Sequence, residues 1–188
     1  MFSKHQYEDI AQMLHCDIAA IKAVAEVESN GNAFTVNNRL ICLFEGHLFY
    51  KWTKGRFAKS HPTLCYKSWV KSFYKKDYDD EYTERFSVAF RLDAEAAMKA
   101  TSWGAFQILG EHYIRLGFAS VGDMLDFLKR DEDNHLTAFA KFVETDTRLL
   151  RALQQRDWAT FARIYNGPAY KKNNYDTKLA KAYAKFNK

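Results

Sequence analysis

Residues 17–31 read DIAAIKAVAEVESNG, a helix spelled out with its start and its stop. Asp17 is a good N-cap, and Asn30-Gly31 suits a C-terminal stop because glycine accepts the left-handed backbone that ends helices. With about 3.6 residues per turn, Ile21, Val24, Ala25 and Glu28 stack into one stripe. Glu28 therefore faces the apolar side in the last turn. Glu26 lies about 200° round the helix from it. Because it follows Lys22 by four, these two are expected to pair on the solvent face. Burial disfavours the charged form of a carboxyl, and the partial negative charge of a helix C-terminus acts in the same direction. Glu28 is thus placed to keep its proton near neutrality, as the general acid of a glycosidase must. The plainer alternative is a partly exposed glutamate at a frayed helix end, and helix geometry alone does not choose between them.

Outward from this helix, a period of 3.6 dominates. Residues 4–14 predict a first helix with Tyr7, Ile10, Ala11 and Leu14 on one face. RLICLFE, residues 39–45, has the apolar, β-branched character of a short strand, and EGHLFYKW, residues 45–52, opens another helix. Gly55, His61-Pro62 and charge clusters make residues 53–80 an irregular loop. Further helices are predicted over 80–91, 93–100, 104–115, 120–129, 132–154, 157–165 and 174–186. The expected fold is mainly α, a single domain over residues 1–188 with a small β element around 36–44.

Composition narrows the function classes. Hydrophobic residues make up 47% and aromatics 16%, enough for a substantial core. Residues 171–188 hold six lysines and one aspartate, while the rest of the chain holds 22 basic and 22 acidic groups. A neutral body argues against a protein that tracks nucleic-acid phosphates along a broad groove. The basic C-terminal helix, at about 171–188, suits a polyanion such as lipopolysaccharide or an anionic membrane. Its plainer reading is a packed final helix with a solvated basic face.

Charges within MFSKHQYEDIAQML interrupt the apolar core that a signal peptide needs, so a soluble protein without one is expected. Cys16, Cys42 and Cys65 are few, odd in number and without C-x-x-C spacing, and read as reduced thiols. The six histidines are scattered without H-E-x-x-H spacing, so no metal site and no cofactor is expected. This disfavours metal-dependent amidases and endopeptidases. No G-x-S-x-G or phosphate-loop motif is present.

Glu28-Ser29-Asn30-Gly31 resembles the glutamate-serine signature of goose-type lysozymes and soluble lytic transglycosylases. SWGAFQI, residues 102–108, resembles their Gly-Ala-x-Gly-Leu-Met-Gln stretch, with Phe106 where glycine is usual. YNG, residues 165–167, resembles their Tyr-Asn-x-Gly stretch. More closely, AVAEVESNGNAF, ICLFEGHLF, KGRF, TSWGAFQILGEHY and RIYNGPAY resemble, in order, the N-acetylmuramidase domain of phage endolysins, over roughly residues 5–185. The resemblance implies a lysozyme-like α fold that hydrolyses the β-1,4 bond between N-acetylmuramic acid and N-acetylglucosamine in peptidoglycan. It also carries Glu28 over as the catalytic acid. Such a lysin waits in the host cytoplasm until a holin opens a way to the periplasmic wall, and works as a monomer.

The remaining candidates are weighed beside that resemblance. Glu45, in LFEGH, is the candidate second carboxylate that would activate water, with His47 orienting it; otherwise it is a surface glutamate opening a helix. Ser29 accompanies the acid in its motif and is a candidate substrate contact. Ser102 as a cap, Trp103 as a stacking face, Gly104 for close approach and Gln107 as an amide donor suit a glycan groove; otherwise SWGAFQI is a capped helix start with a buried aromatic. Tyr165 and Asn166 end a helix before Gly167-Pro168 and are candidate substrate contacts, and by resemblance Tyr165 brings its hydroxyl near the acid. If no second carboxylate serves Glu28, a lytic transglycosylase with 1,6-anhydromuramic products is the alternative. A wall-binding module without turnover is the other.

Overall fold

The computed structural model describes residues 2–29 and 32–188, so the expected Asn30-Gly31 stop lies outside the described residues. In chain order the helices are α1 (Lys4–Met13), α2 (Ile18–Glu28), α3 (Gly46–Thr53), α4 (Tyr78–Asp80), α5 (Ser87–Leu92) and α6 (Ala94–Lys99). They continue as α7 (Val121–Arg130), α8 (Asp133–Glu144), α9 (Thr147–Gln155), α10 (Trp158–Tyr165) and α11 (Tyr175–Phe186). The strands among the described residues are β1 (Cys42–Phe44), β2 (Thr101–Trp103) and β3 (Ile108–Leu109). The fold is mainly α, as expected. It divides into two compact units, residues 1–31 with 131–188, and residues 32–130.

In the first unit, α2 is the central helix. Its alanines leave room for neighbours, and α1 and α11 pack on it. Ile21, Val24 and Ala25 are buried, as the stripe predicts, and Ala23, off the stripe, is buried as well. Ser3 caps α1 by accepting from the Gln6 amide at 3.1 Å, and its hydroxyl donates to Asp133 at 2.6 Å, tying α1 to the start of α8. Asp17 precedes α2 as expected, but its carboxylate makes no cap bond. It accepts instead from Arg156 at 2.7 Å and from the Tyr183 hydroxyl at 3.0 Å, because long-range donors outcompete the local amides. The expected Lys22–Glu26 pair gives way in the same manner: Glu26 pairs with Lys185 of α11 at 2.6 Å, and Lys22 lies over the Tyr7 ring. The predicted helix over 132–154 is two helices, broken where Asp146 caps α9 by accepting from the Arg148 and Leu149 amides. Phe139, Leu153 and Phe161 are fully buried in α8, α9 and α10. Each such side chain stabilises the unit by about 1.5–3 kcal/mol.

The second unit holds an antiparallel sheet in the order β1-β2-β3, with Leu43 opposite Ser102 and Trp103 opposite Ile108. The expected helix over 104–115 is thereby corrected. Gly104 and Gln107 take left-handed backbone and close a tight loop between β2 and β3, and only a 3-10 turn at Gly110–His112 follows. Gly110 meets the backbone of α6 so closely that an added Cβ would lie 2.0 Å from the Met98 carbonyl oxygen. Residues 53–80 are largely irregular, as predicted, with one 3-10 turn at Lys71–Phe73.

Between α4 and α5 the helix widens into a π turn over Glu81–Phe86 that puts Glu81 and Arg85 in the core, at 0% and 3% exposure. Glu81 accepts from Arg85 at 3.2 Å, from the Phe44 amide at 3.2 Å and from the Lys75 amide at 2.8 Å. One buried carboxylate thus joins the π turn to β1 and to the loop before α4. Arg85→Leu leaves that carboxylate without its cation. Chemical denaturation is expected to show a loss of about 3–5 kcal/mol, whereas a drop within 1 kcal/mol would mean the pair is dispensable.

Candidate active site

Glu28 is the last residue of α2. Ser29 leaves the helix in extended backbone, and its hydroxyl donates to the Ala25 carbonyl at 2.6 Å. At 3% exposure, Ser29 seals the end of α2 and offers a ligand no free hydroxyl, which corrects its expected role in binding substrate. The side-chain amide of Asn166, the residue that ends α10, donates to Glu28 Oε2 at 2.8 Å. Among the described residues, Glu28 Oε1 is buried without a hydrogen-bond partner, as is Asn166 Oδ1. Asn166, expected to touch substrate, is thus the residue that holds the acid.

Burial pushes the Glu28 carboxyl up from an ordinary 4.5 to about 7. The Asn166 amide and the charge of Lys178 act the other way, because both favour the ionised form. Tyr165 stacks on Phe161 with ring centroids 5.6 Å apart and meets Phe139 and Phe142 edge-on. Burial and the nearby Glu28 charge hold its hydroxyl far above the ordinary phenol range, so it stays protonated. Tyr175 feels the Glu28 charge in the same direction. Tyr175 and Lys178 escaped the sequence reading because α11 reaches α2 only through the tertiary fold.

In the second unit, Glu45 immediately precedes α3 at the helix N-terminus, where the helix dipole favours a carboxylate. Its amide donates to the Ala100 carbonyl at 2.8 Å, fixing the backbone beside the sheet. The Tyr74 hydroxyl donates to Glu45 Oε2, and His47 Nδ1 lies 3.4 Å from the same oxygen. The Arg85 guanidinium lies over the Tyr74 ring at 5.0 Å. Burial, reinforced by the bond to Glu45, raises the Tyr74 hydroxyl well above its ordinary range and keeps it a donor. The structure therefore brings together Glu45 and His47, and adds Tyr74, which lies in an irregular loop where no local pattern marks it.

The SWGAFQI residues are placed differently from the expectation. Ser102 lies in β2, not at a helix cap. Trp103 is 2% exposed, donates its indole N–H to the Met98 carbonyl at 3.0 Å and meets Phe86 edge-on, so it offers no open stacking face. It contributes instead to the wall of a cavity of about 340 Å³ that includes Arg39, Tyr82, Phe90 and Met98. Gly104 supplies the left-handed turn. The Gln107 amide donates to the Gly104 carbonyl at 2.9 Å, holding its own loop closed and leaving its oxygen as an acceptor. Among the described residues no cluster of three or more His, Cys, Asp or Glu could hold a metal, and no helix is long and apolar enough to cross a membrane.

A family model described as N-acetylmuramidase matches residues 17–187. Among solved structures the chain is similar to the crystal structure of Burkholderia AP3 phage endolysin. The TM-score is 0.91 at 38% identity, over 97% of this chain and 69% of that one. No curated protein matches in sequence.

The raised Glu28 carboxyl has a consequence for stability. Its folded value of about 7 lies above the ordinary 4.5, so the folded state favours the protonated form. The contribution is fully present below about 4.5 and is lost as pH rises through about 7. Glu28→Gln removes the charge that must be buried at high pH. Thermal melts should show the variant stabilised at pH 8 by up to about 2–3 kcal/mol, and near parity at pH 4. Equal offsets at both values would contradict the burial of Glu28.

Proposed function

The chain belongs to the N-acetylmuramidase family of peptidoglycan-degrading enzymes, and we propose that it hydrolyses the β-1,4 bond between N-acetylmuramic acid and N-acetylglucosamine with Glu28 as general acid. The observation that carries this is the Glu28 carboxyl itself, which burial raises to about 7 and which, among the described residues, is gripped through one oxygen. In the neutral acid, Oε2 accepts from Asn166 as a carbonyl oxygen does, and the proton sits on the unpartnered Oε1. That proton passes to the glycosidic oxygen as the bond to the muramic acid C1 breaks. The charge developing at C1 is then met by water, which gives a reducing muramic end and a free 4-hydroxyl on the glucosamine.

Glu45 is the proposed base for that water. Support comes from its own surroundings: a half-buried carboxylate at a helix N-terminus, with Tyr74 fixing one oxygen and His47 beside it. The likeness to a phage endolysin over 97% of this chain supports the further reading of a phage-type lysin.

Clearing of purified Gram-negative peptidoglycan, with mass spectrometry of the products, tests the proposal. Glu28→Gln is expected to lower kcat by about 10²–10⁴ while the fold persists. Reducing muramic ends mark a hydrolase; 1,6-anhydro ends would mean that the substrate's own 6-hydroxyl attacks C1 and would overturn the role given to Glu45.

Asn166→Ala supplies a second test. Loss of the amide removes a group that favours ionised Glu28, so the alkaline limb of the pH–rate profile moves to higher pH. The looser acid also lowers kcat by about tenfold. An unmoved limb would mean that Asn166 does not hold the acid.

A further inference from the structure

Helix α11 presents one side to α2 and the other to water. Leu179 and Ala182 are buried on the inner side, at 0% and 5% exposure. Along the seam of the two helices, a groove of about 460 Å³ is lined by Glu26 and Val27 of α2 and by Lys178, Lys181, Ala182 and Lys185 of α11. Lys185 is paired with Glu26 at 2.6 Å. Lys178 contacts the Tyr175 ring at 5.4 Å, and its charge reaches Glu28. Neither Lys178 nor Lys181 forms an ion pair among the described residues. The groove therefore carries two ammonium groups without an ion pair among the described residues, and the charge of one of them, Lys178, reaches Glu28.

We propose that this lysine-lined groove docks the acidic stem peptide of peptidoglycan, with Lys178 and Lys181 holding its free carboxylates. The proposal rests on the reading of Glu28 as the acid acting on that polymer. Every muramic acid in the wall can carry a peptide on its lactyl group, so a glycan bound at Glu28 brings peptide carboxylates close to the scissile sugar. Ammonium groups on flexible stems suit mobile carboxylates at a wet surface, where charge complementarity sets register and encounter rate. A membrane is the poorer occupant. A helix that docks on lipid needs an exposed apolar face, and the apolar side of α11 is already committed to α2.

Pelleting with purified sacculi, in a Glu28→Gln background so that nothing is cut, tests the groove directly. Lys181 is exposed and unpaired, so Lys181→Glu leaves the packing intact. Its apparent Kd for intact sacculi should rise about fivefold, the scale of one exposed charge pair, and salt should narrow the difference. Glycan strands stripped of stem peptides by an amidase should show no comparable rise. An equal rise on stripped strands, or none on intact sacculi, overturns the proposal. So does a Lys181-dependent affinity for phosphatidylglycerol vesicles with sacculus binding unchanged. Clearing by Glu28→Gln would overturn the chemistry on which the proposal rests, whereas an inert Glu28→Gln whose sacculus binding ignores Lys181 would overturn the groove alone.

Discussion

A carboxyl group that must be half buried and still reach an ionised state near neutrality constrains the first unit around Glu28. Desolvation alone would hold it neutral, and a direct cation would ionise it outright. The structure takes neither extreme. Asn166 gives one neutral hydrogen bond, and Lys178 lends its charge without forming an ion pair, so burial prevails and the carboxyl settles at about 7. Supporting this balance requires α2 to end cleanly, which Ser29 secures, and α10 and α11 to approach it, which the alanines of α2 permit. The packing of three helices is therefore read out at one proton.

The second unit treats two other carboxylates in other ways. Glu81 is deeper than Glu28 but meets Arg85 and two backbone amides, so it serves as a structural joint between the π turn and β1. Glu45 stays partly solvated at the start of α3 with a phenol donor, a setting suited to a base. One side-chain chemistry takes three roles because burial, partner charge and hydrogen bonding differ at each position. Arg85 links two of these settings, since it pairs with Glu81 and lies over the ring of Tyr74.

The strongly periodic parts of the chain were legible in advance. The stripe through Ile21, Val24 and Ala25 is buried as drawn, and α3, α7, α10 and α11 lie within a residue or so of their expected ranges. Residues 101–109 were misjudged because SWGAFQIL carries no clean period of two; it becomes a hairpin only because β1 offers an edge for it to join. The same residues account for the misplaced Trp103, whose indole fits a wall against Phe86 and Met98 that no local pattern announces. Asp17 and Glu26 were assigned neighbours in the sequence, but partners from α9 and α11 took them, since a charged donor from elsewhere competes well with a local amide or an exposed i,i+4 lysine.

By itself, the sequence determined that the chain is mainly helical and that Glu28, rather than Glu26, faces the core. It also supplied the ordered motifs of the muramidase family. These follow from periodicity and residue identity, which are local quantities. Only the tertiary structure decided that Asn166 holds Glu28, that Tyr74 holds Glu45, and that lysines of α11 line a groove against α2. Those partners are 138 and 29 residues apart for the two glutamates, and such distances close only when each unit has folded. The ionisation of a carboxyl depends on everything within a few ångströms of it, whatever its place in the chain.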